Sequence, residues 1–501
     1  MKREREERTR WPLIVLAVVL MLSVARDGSL LLRYPVAVGA DGYYYVLQIN
    51  ELLNHGHFYF PTNTPLVFYA LAAFSILTRN TILAIKLGSL GFNLFASLSV
   101  FALVSSISRN RWLGVLGAAI AAISGMHFYM LAEFIKNLAG LALLIWAAWC
   151  ALRASANHEA RWIAMSVAFL ALALLSHVSI WVVAPALFAL VFLAKFLLNR
   201  EHSKLLRLIG AFGIIFLMIC PALLALQKFV QLPPWMSSEL LSRPTWPISL
   251  RSSVGKAEMI ALLLTAPTTL LLIVRHRSAS PENPFRYVVS AVALWSLLIN
   301  LNPFLNHDVR QLGIIGRLDH LMYLQVAIIL PALIRLSLGV YRKLAWFLLA
   351  MTLCFMAVSM TASYPKGLQP WYLAERQQMI QALPEQRQQL GTNPLVIAEH
   401  GDEFVIIWVL TIPAQQHFPT IPGGQSAYWL LHQINPTTLT PSTIVVMEEE
   451  NGSVLILMKH GDLTQWLNTI NEEERNRLFS QNPHLKKYVD DQTKISTQPS
   501  N

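Results

Sequence analysis

Apolar residues run through the first 361 positions in blocks separated by short basic clusters. The blocks are about 17–25 residues long, which suits helices crossing a hydrocarbon core, and the alternating polar–apolar signature of a membrane barrel is missing. The pattern predicts eleven transmembrane helices at about 11–26, 82–107, 112–126, 138–152, 162–176, 179–198, 208–227, 257–274, 287–303, 320–337 and 344–361. With the cluster Lys2-Arg3-Glu4-Arg5 in the cytoplasm, each even-numbered helix ends in a basic cytoplasmic cluster, from Arg109 and Arg111 to Arg342 and Lys343, as the positive-inside rule requires. The apolar stretch Pro65 to Leu77 is short for a span and reads as a juxtamembrane helix lying at the interface. Counts of 12 or 13 spans are the alternatives, but counting 65–77 as a span puts the later basic clusters outside.

Beyond residue 361 the pattern changes. Pro394–Ala398, Ser442–Met447 and Val454–Met458 read as strands, the last two joined across Asn451-Gly452 in a hairpin. Helical stretches lie at Leu373 to Leu383, Asp402 to Leu410 and Leu463 to Phe479. The fold class is therefore an all-α polytopic membrane bundle, residues 1–361, with a large first external loop at 27–80 and a small extracytoplasmic α/β domain at 362–488. The polar tail 489–501 is expected to be disordered, and no internal repeat is visible.

Composition agrees: 55% of the 501 residues are hydrophobic and 13% charged. The formal charge of +11 would suit nucleic acid, but much of the basic excess sits in short loops where it sets orientation, so no nucleic-acid partner is expected. Cys150, Cys220 and Cys354 all fall inside apolar segments and read as core filler. The first apolar stretch lacks a small-residue cleavage site and reads as an uncleaved helix, with a cytoplasmic N-terminus in a cell (inner) membrane.

Candidate chemistry centres on Val38-Gly39-Ala40-Asp41-Gly42-Tyr43-Tyr44-Tyr45, an acid before three aromatics just beyond the first span. Asp41 is a candidate site residue and Tyr44 a candidate substrate contact; an Asp-Gly turn with an interfacial aromatic belt is the plainer alternative. The topology puts Glu133, Lys136, His177, Asp308, Arg310 and Arg317 on the same external side as Asp41. Ionisable residues at membrane ends are costly unless paired or wetted. Such a pocket combines proton-accepting carboxylates with cations that hold phosphate. Each residue also has a simpler role: Glu133 suits a helix N-terminus, Lys136 can snorkel, His177 can be an interfacial side chain, and Arg317 can neutralise Asp319. His307 and Asp308 lack a fixed metal-ligand spacing.

The chain resembles the GT-C superfamily of membrane glycosyltransferases, which use polyprenyl-phosphate-linked sugars. The resemblance rests on Ala40-Asp41-Gly42-Tyr43-Tyr44-Tyr45, on Leu131-Ala132-Glu133-Phe134-Ile135-Lys136-Asn137 and on Leu175-Ser176-His177, and covers roughly residues 1–361. It implies transfer of a sugar from a polyprenyl-phosphate donor in the bilayer to a glycan, lipid or protein acceptor outside the cytoplasm. Asp41 matches the family's catalytic acid of the first external loop, and Glu133 the second acid that assists or binds metal in some members. Arg317, with Arg310 behind it, matches a basic residue that holds the lipid phosphate, with Lys136 and His177 as further binding candidates. A divalent ion, magnesium or manganese, is the implied cofactor in some members; Asp41, Glu133 and Asp308 are the acids to hold it. Some members carry paired acids in the first loop, whereas here Gly42 follows Asp41 and the next acid is Glu51, which leaves metal dependence open. A transporter or flippase of lipid-linked glycans and a non-catalytic glycan-binding scaffold are the rival readings. Transporters place ionisable groups near the midplane, often in repeats, unlike the helix-end clustering here.

Overall fold

The computed structural model describes residues 2–198, 256–275, 284–301, 321–338, 341–360, 364–416, 426–449 and 452–497. In chain order the helices begin with α1 (Lys2–Leu31), α2 (Gly42–His55), α3 (Leu66–Thr78), α4 (Thr81–Ser108), α5 (Arg111–Ile123) and α6 (His127–Ala132). They continue with α7 (Ile135–Asn157), α8 (Ala160–Ser176), α9 (Ile180–Leu198), α10 (Lys256–Arg275), α11 (Pro284–Trp295), α12 (Met322–Leu338) and α13 (Arg342–Met360). The remainder holds α14 (Pro370–Gln386), β1 (Pro394–Ile397), α15 (Asp402–Leu410), β2 (Ala414–Gln415), β3 (Ser426–Ile434), β4 (Ile444–Glu448) and β5 (Val454–Lys459). It closes with α16 (His460–Leu467), α17 (Glu472–Gln481) and α18 (Pro483–Thr497). The chain divides into two units, the first of residues 1–30, 62–70 and 87–365, the second of 31–61, 71–86 and 366–501.

The first unit is a helical bundle around α12, in which every residue from Met322 to Ile334 is buried. A helix apolar on all sides suits such an interior position. Helix α5 approaches it closely because Gly117 has no side chain: a Cβ there would lie 2.7 Å from the carbonyl oxygen of Ala327. Leu16 and Leu20 of α1 pack on Val115 and Ala118 of α5. By contrast, α8 and α13 present Ile163, Val167, Trp346, Phe347 and Leu353 outward as exposed large hydrophobics. Apolar surface of that extent belongs against lipid. Among the described residues, five helices are long and apolar enough to cross a membrane: Arg10–Leu31, Thr81–Ser108, Ile135–Ser155, Ala257–Arg275 and Arg342–Ser359. Shorter apolar helices accompany them, and the chain is a multi-pass membrane protein. An apolar cavity of about 270 Å³ lies within this unit, lined by Leu141, Leu144, Val183, Leu187, Trp295 and Ile328 among others.

Several boundaries differ from the sequence reading. Helix α1 continues to Leu31 rather than stopping at 26, so Asp27 is helical and buried instead of opening a loop. The expected helix 112–126 ends at Ile123, and 287–303 begins earlier, at Pro284, and finishes in a π-turn, Ser296–Asn300. The expected helix 208–227 lies outside the described residues.

In the second unit the sheet order is β2-β1-β3-β5-β4. β1 runs parallel to β2 and β3, and β5 antiparallel to β3 and β4. The hairpin read from Asn451-Gly452 forms, with Ile444 opposite Leu457 and Glu448 opposite Val454. One sheet face buries Trp429, Leu431, Ile456 and Met458 against Leu463, Trp466, Leu478 and Leu485 of α16 to α18. The central strand β3 was not expected. Its run Tyr428 to Leu431 is buried on both faces and lacks alternation, so periodicity does not separate it from a buried helix. The expected helix 463–479 breaks at Asn471, whose side chain caps α17 by accepting the Glu474 N–H at 2.8 Å. Helix α18 runs to Thr497, into the tail read as disordered.

Candidate functional site

Asp41 stands at the N-terminus of α2, but its side chain makes no capping hydrogen bond there. Its Oδ1 lies 3.1 Å from Nε2 of His400, in the loop between β1 and α15 of the same unit. The other ring nitrogen of His400 is 3.0 Å from Glu403 Oε1. Gly401 makes this meeting possible: its φ is +100°, and a Cβ there would lie 3.0 Å from both Cα and O of Ala40. Hydrogen bonds to Asp41 and then Glu403 outweigh burial and push the His400 pKa up to about 10. The imidazole is therefore a cation at neutral pH, donating one N–H to each carboxylate. With 26% of the Asp41 side chain and 47% of the His400 side chain exposed, the pair is partly open to solvent. Among the described residues, Asp41 Oδ2 has no such partner.

Neighbouring side chains stiffen this loop. Arg376 of α14 donates to the Gly39 carbonyl at 2.9 Å and to Asp402 Oδ1 at 3.1 Å. Tyr43 is buried with its ring 4.9 Å from Trp408, and burial pushes its hydroxyl up to about 12. Tyr44 is half-buried, stacked on Phe60 at 5.7 Å and tilted against Phe404 at 5.5 Å. Phe404 also meets the His400 ring edge-on, so Tyr44 belongs to the aromatic wall beside the Asp41–His400 pair.

A second group in this unit surrounds His432 of β3. Its Nε2 lies 2.9 Å from Asp402 Oδ2, and its Nδ1 lies 2.8 Å from Glu449 Oε1 and 3.4 Å from Glu375 Oε1. Burial opposes the charged imidazole, but hydrogen bonds to Asp402, Glu375 and Glu449 raise its pKa well above the ordinary histidine range. Burial likewise disfavours the Asp402 carboxylate, yet the bond from His432 holds its pKa well below the usual range. Glu375, His432 and Glu449 bring one ligand atom each to within 4.8 Å of one another.

The other expected residues belong to the first unit. Glu133 is half-buried and ends α6, its N–H bonded to the Tyr129 carbonyl at 2.8 Å. It therefore caps the C-terminus of α6 rather than standing in the first turn of a helix. Lys136, in the first turn of α7, places Nζ 4.7 Å over the Phe68 ring and 3.4 Å from Thr62 Oγ1. His177 Nδ1 accepts the Ser179 N–H at 3.0 Å, and Ser179 Oγ lies 3.2 Å from Asn137 Oδ1. Gly140 allows that approach, since a Cβ there would lie 2.8 Å from Ile180 Cγ1. Ser179 thus links the segment around His177 to Asn137 in the first turn of α7, and both Lys136 and His177 are buried. His307, Asp308, Arg310 and Arg317 lie outside the described residues.

Of the acids expected to hold magnesium or manganese, Asp41 belongs to the second unit and faces His400, Glu133 belongs to the first, and Asp308 lies outside the described residues.

The sequence reading passed over His400 and Arg376, although Glu399-His400-Gly401-Asp402-Glu403 stands out as a charged cluster before an apolar helix. It also passed over a buried network in the first unit. Asp27 accepts from Arg26 at 2.9 Å, His127 at 3.1 Å, and Asn93 and Ser23 at 3.2 Å each. Ser124 there joins the His127 ring to Glu258. A charged residue inside an apolar segment was the available signal.

Residues 62–224 match the family model of dolichyl-phosphate-mannose-protein mannosyltransferases. No curated protein sequence matches the chain. Among solved structures, the fold is similar to the archaeal oligosaccharyltransferase AglB of Archaeoglobus fulgidus, in complex with an inhibitory peptide and a dolichol-phosphate, at 15% identity and a TM-score of 0.50 over 81% of this chain and 64% of that one. An apo-form crystal structure of the Archaeoglobus fulgidus oligosaccharyltransferase aligns over the same shares at 15% identity and a TM-score of 0.51. ArnT from Cupriavidus metallidurans, bound to undecaprenyl phosphate, aligns at 13% identity and a TM-score of 0.46 over 90% of this chain and 98% of its own. The chain spans 64% of the length of either oligosaccharyltransferase chain. In its matching family model and in its mostly helical fold with a small sheet domain, the chain thus resembles the GT-C membrane glycosyltransferases read from its sequence.

Proposed function

We propose that this protein is an integral-membrane glycosyltransferase that moves a sugar from a polyprenyl-phosphate donor to an acceptor outside the cytoplasm, with Asp41 as general base. The observation that carries the reading is the partly exposed Asp41 carboxylate held at Oδ1 by His400 at 3.1 Å. The acceptor oxygen attacks the anomeric carbon as the bond from that carbon to the phosphate oxygen breaks. Asp41 Oδ2 takes the acceptor's proton, and the polyprenyl phosphate departs with the bonding pair. His400 positions the base without touching the reacting atoms. Glu133 assists at the acceptor, and Lys136, His177, Arg310 and Arg317 supply the charge and donors that stabilise the departing phosphate. General-base help is typically worth about 10²–10⁴-fold, and fixed charge stabilisation about 10²–10³-fold.

The apolar cavity lined by Leu141, Val183, Leu187 and Ile328 supports a lipid-linked donor, because a polyprenyl tail needs an apolar surface to lie against. The family match over 62–224 points to the same donor class. In this reading the bundle has eleven spans over residues 1–361, the N-terminus is cytoplasmic, and the domain from 362 to 488 lies outside an inner membrane. Transfer of radiolabelled sugar from a panel of polyprenyl-phosphate donors tests the reading, in membranes carrying wild type or Asp41→Asn, with and without chelator. Transfer that disappears in an inserted mutant supports it, and the chelator lane decides the metal requirement. Equal transfer by both proteins overturns the role of Asp41. No transfer across the panel favours the transporter or scaffold.

A further inference from the structure

Glu375, His432 and Glu449 converge from three separate elements: the first turns of α14, strand β3, and the residue just after β4. We propose that they form a divalent transition-metal site, with zinc the best-suited ion, that clamps α14 to the sheet independently of the chemistry at Asp41.

Three observations carry this. The ligand set is one imidazole nitrogen and two carboxylate oxygens, which suits zinc better than magnesium or calcium, both of which take oxygen donors. The spacing is also right. Ligand atoms about 2.0–2.2 Å from a tetrahedral zinc lie roughly 3.3–3.5 Å from one another. Here Nδ1 is 2.8 and 3.4 Å from the two glutamate oxygens, and all three atoms fall within 4.8 Å. Small outward movements of the two glutamate side chains open the central position.

The third observation lies behind the ligands. A metal-bound histidine usually gives its other ring N–H to a carboxylate, which fixes the ring and raises its basicity. His432 gives Nε2–H to Asp402 at 2.9 Å, and Arg376 holds the other Asp402 oxygen at 3.1 Å. Nδ1 is thereby aimed at the two glutamates. Glu449 is further fixed by accepting the Gln433 N–H.

The cluster is largely closed to water, its side chains 17%, 26% and 3% exposed. The 26% exposure of Glu375 leaves a way in from water.

The test uses full-length protein in nanodiscs, stripped with chelator, reloaded with zinc chloride and desalted. Metal per chain is measured by elemental analysis, and Tm is read in parallel. The expected result is one zinc per chain in wild type and Asp41→Asn, with Tm raised by reloading. Glu449→Gln and Glu375→Gln should retain under a tenth of that metal and show no Tm gain. Asp402→Asn should weaken zinc affinity roughly 10–100-fold while the site survives. Because Glu449 is nearly buried, its variant can misfold, and the more exposed Glu375→Gln then carries the test. Metal retained by folded Glu375→Gln at the wild-type level overturns the site, as does wild type that binds none. Metal lost in Asp41→Asn but kept in Glu375→Gln would put the ion in the first loop instead. None of these readouts depends on transfer activity, so the site can fail without the glycosyltransferase reading failing.

Discussion

The Asp27–His127 network of the first unit and the Asp41–His400 pair of the second use the same pairing in different surroundings. In the helical bundle, Asp27 and His127 are 1% and 0% exposed, and the Asp27 carboxylate is saturated by four side-chain partners. In the second unit, Asp41 and His400 are joined at a similar distance but remain partly open to solvent. A carboxylate saturated with donors in a dry interior stabilises a fold and has nothing left to offer a substrate. One held at a single oxygen and wetted at the other can accept a proton. Pairing alone therefore does not single out a candidate site; pairing with an open side does.

Breaking the open pair has the largest expected effect. Asp41→Asn should lower transfer about 10²–10⁴-fold, as read from initial rates per inserted molecule, with a smaller loss of Tm than Asp27→Ala. In the closed pair, Asp27→Ala leaves the Arg26 guanidinium without its carboxylate and the His127 ring without its partner, which should cost about 3–5 kcal/mol of stability. Thermal unfolding of the solubilised protein checks this. His400→Gln keeps Asp41 but loses its charged donor. Hydrogen bonds to charged groups are worth about 1.5–3 kcal/mol, so transfer should fall roughly 10–100-fold, mainly in kcat.

The smallest effect is a pH slope. Because the folded His400 pKa is raised from 6.5 to about 10, its stabilisation is complete below pH 6.5 and is lost as pH rises through 10. The Tm of wild type should therefore decline more steeply than that of His400→Gln across that window. Parallel slopes would show that the His400 proton contributes nothing to folding.

The membrane class was legible because helix length and loop charge are local properties of the chain. Asp41 could be picked out as a candidate for a similar reason: an acid before three tyrosines, beside a span, is unusual wherever the chain goes next. His400 was not, because its meaning comes from meeting Asp41 through the Gly401 turn, a contact between distant stretches that no local pattern encodes. β3 was missed because burial on both faces erases alternation. Asp27 was misplaced because a charge ends an apolar block in sequence, whereas in the fold Arg26 pairs with it and His127 and Asn93 hydrogen-bond to it, so the helix continues past it. Glu133 and Lys136 were visible as a charged break between apolar runs, but only the structure distinguishes the half-buried cap from the buried cation over Phe68.

The most direct measurement puts both networks into one experiment: transfer rates per folded molecule for wild type, Asp41→Asn and Asp27→Asn in the same proteoliposomes, with the Tm of each. We expect Asp41→Asn to lose at least a hundredfold in rate and less Tm than Asp27→Asn, and Asp27→Asn to stay within about threefold in rate. The reverse result, with the rate lost at Asp27 and retained at Asp41, would contradict that expectation.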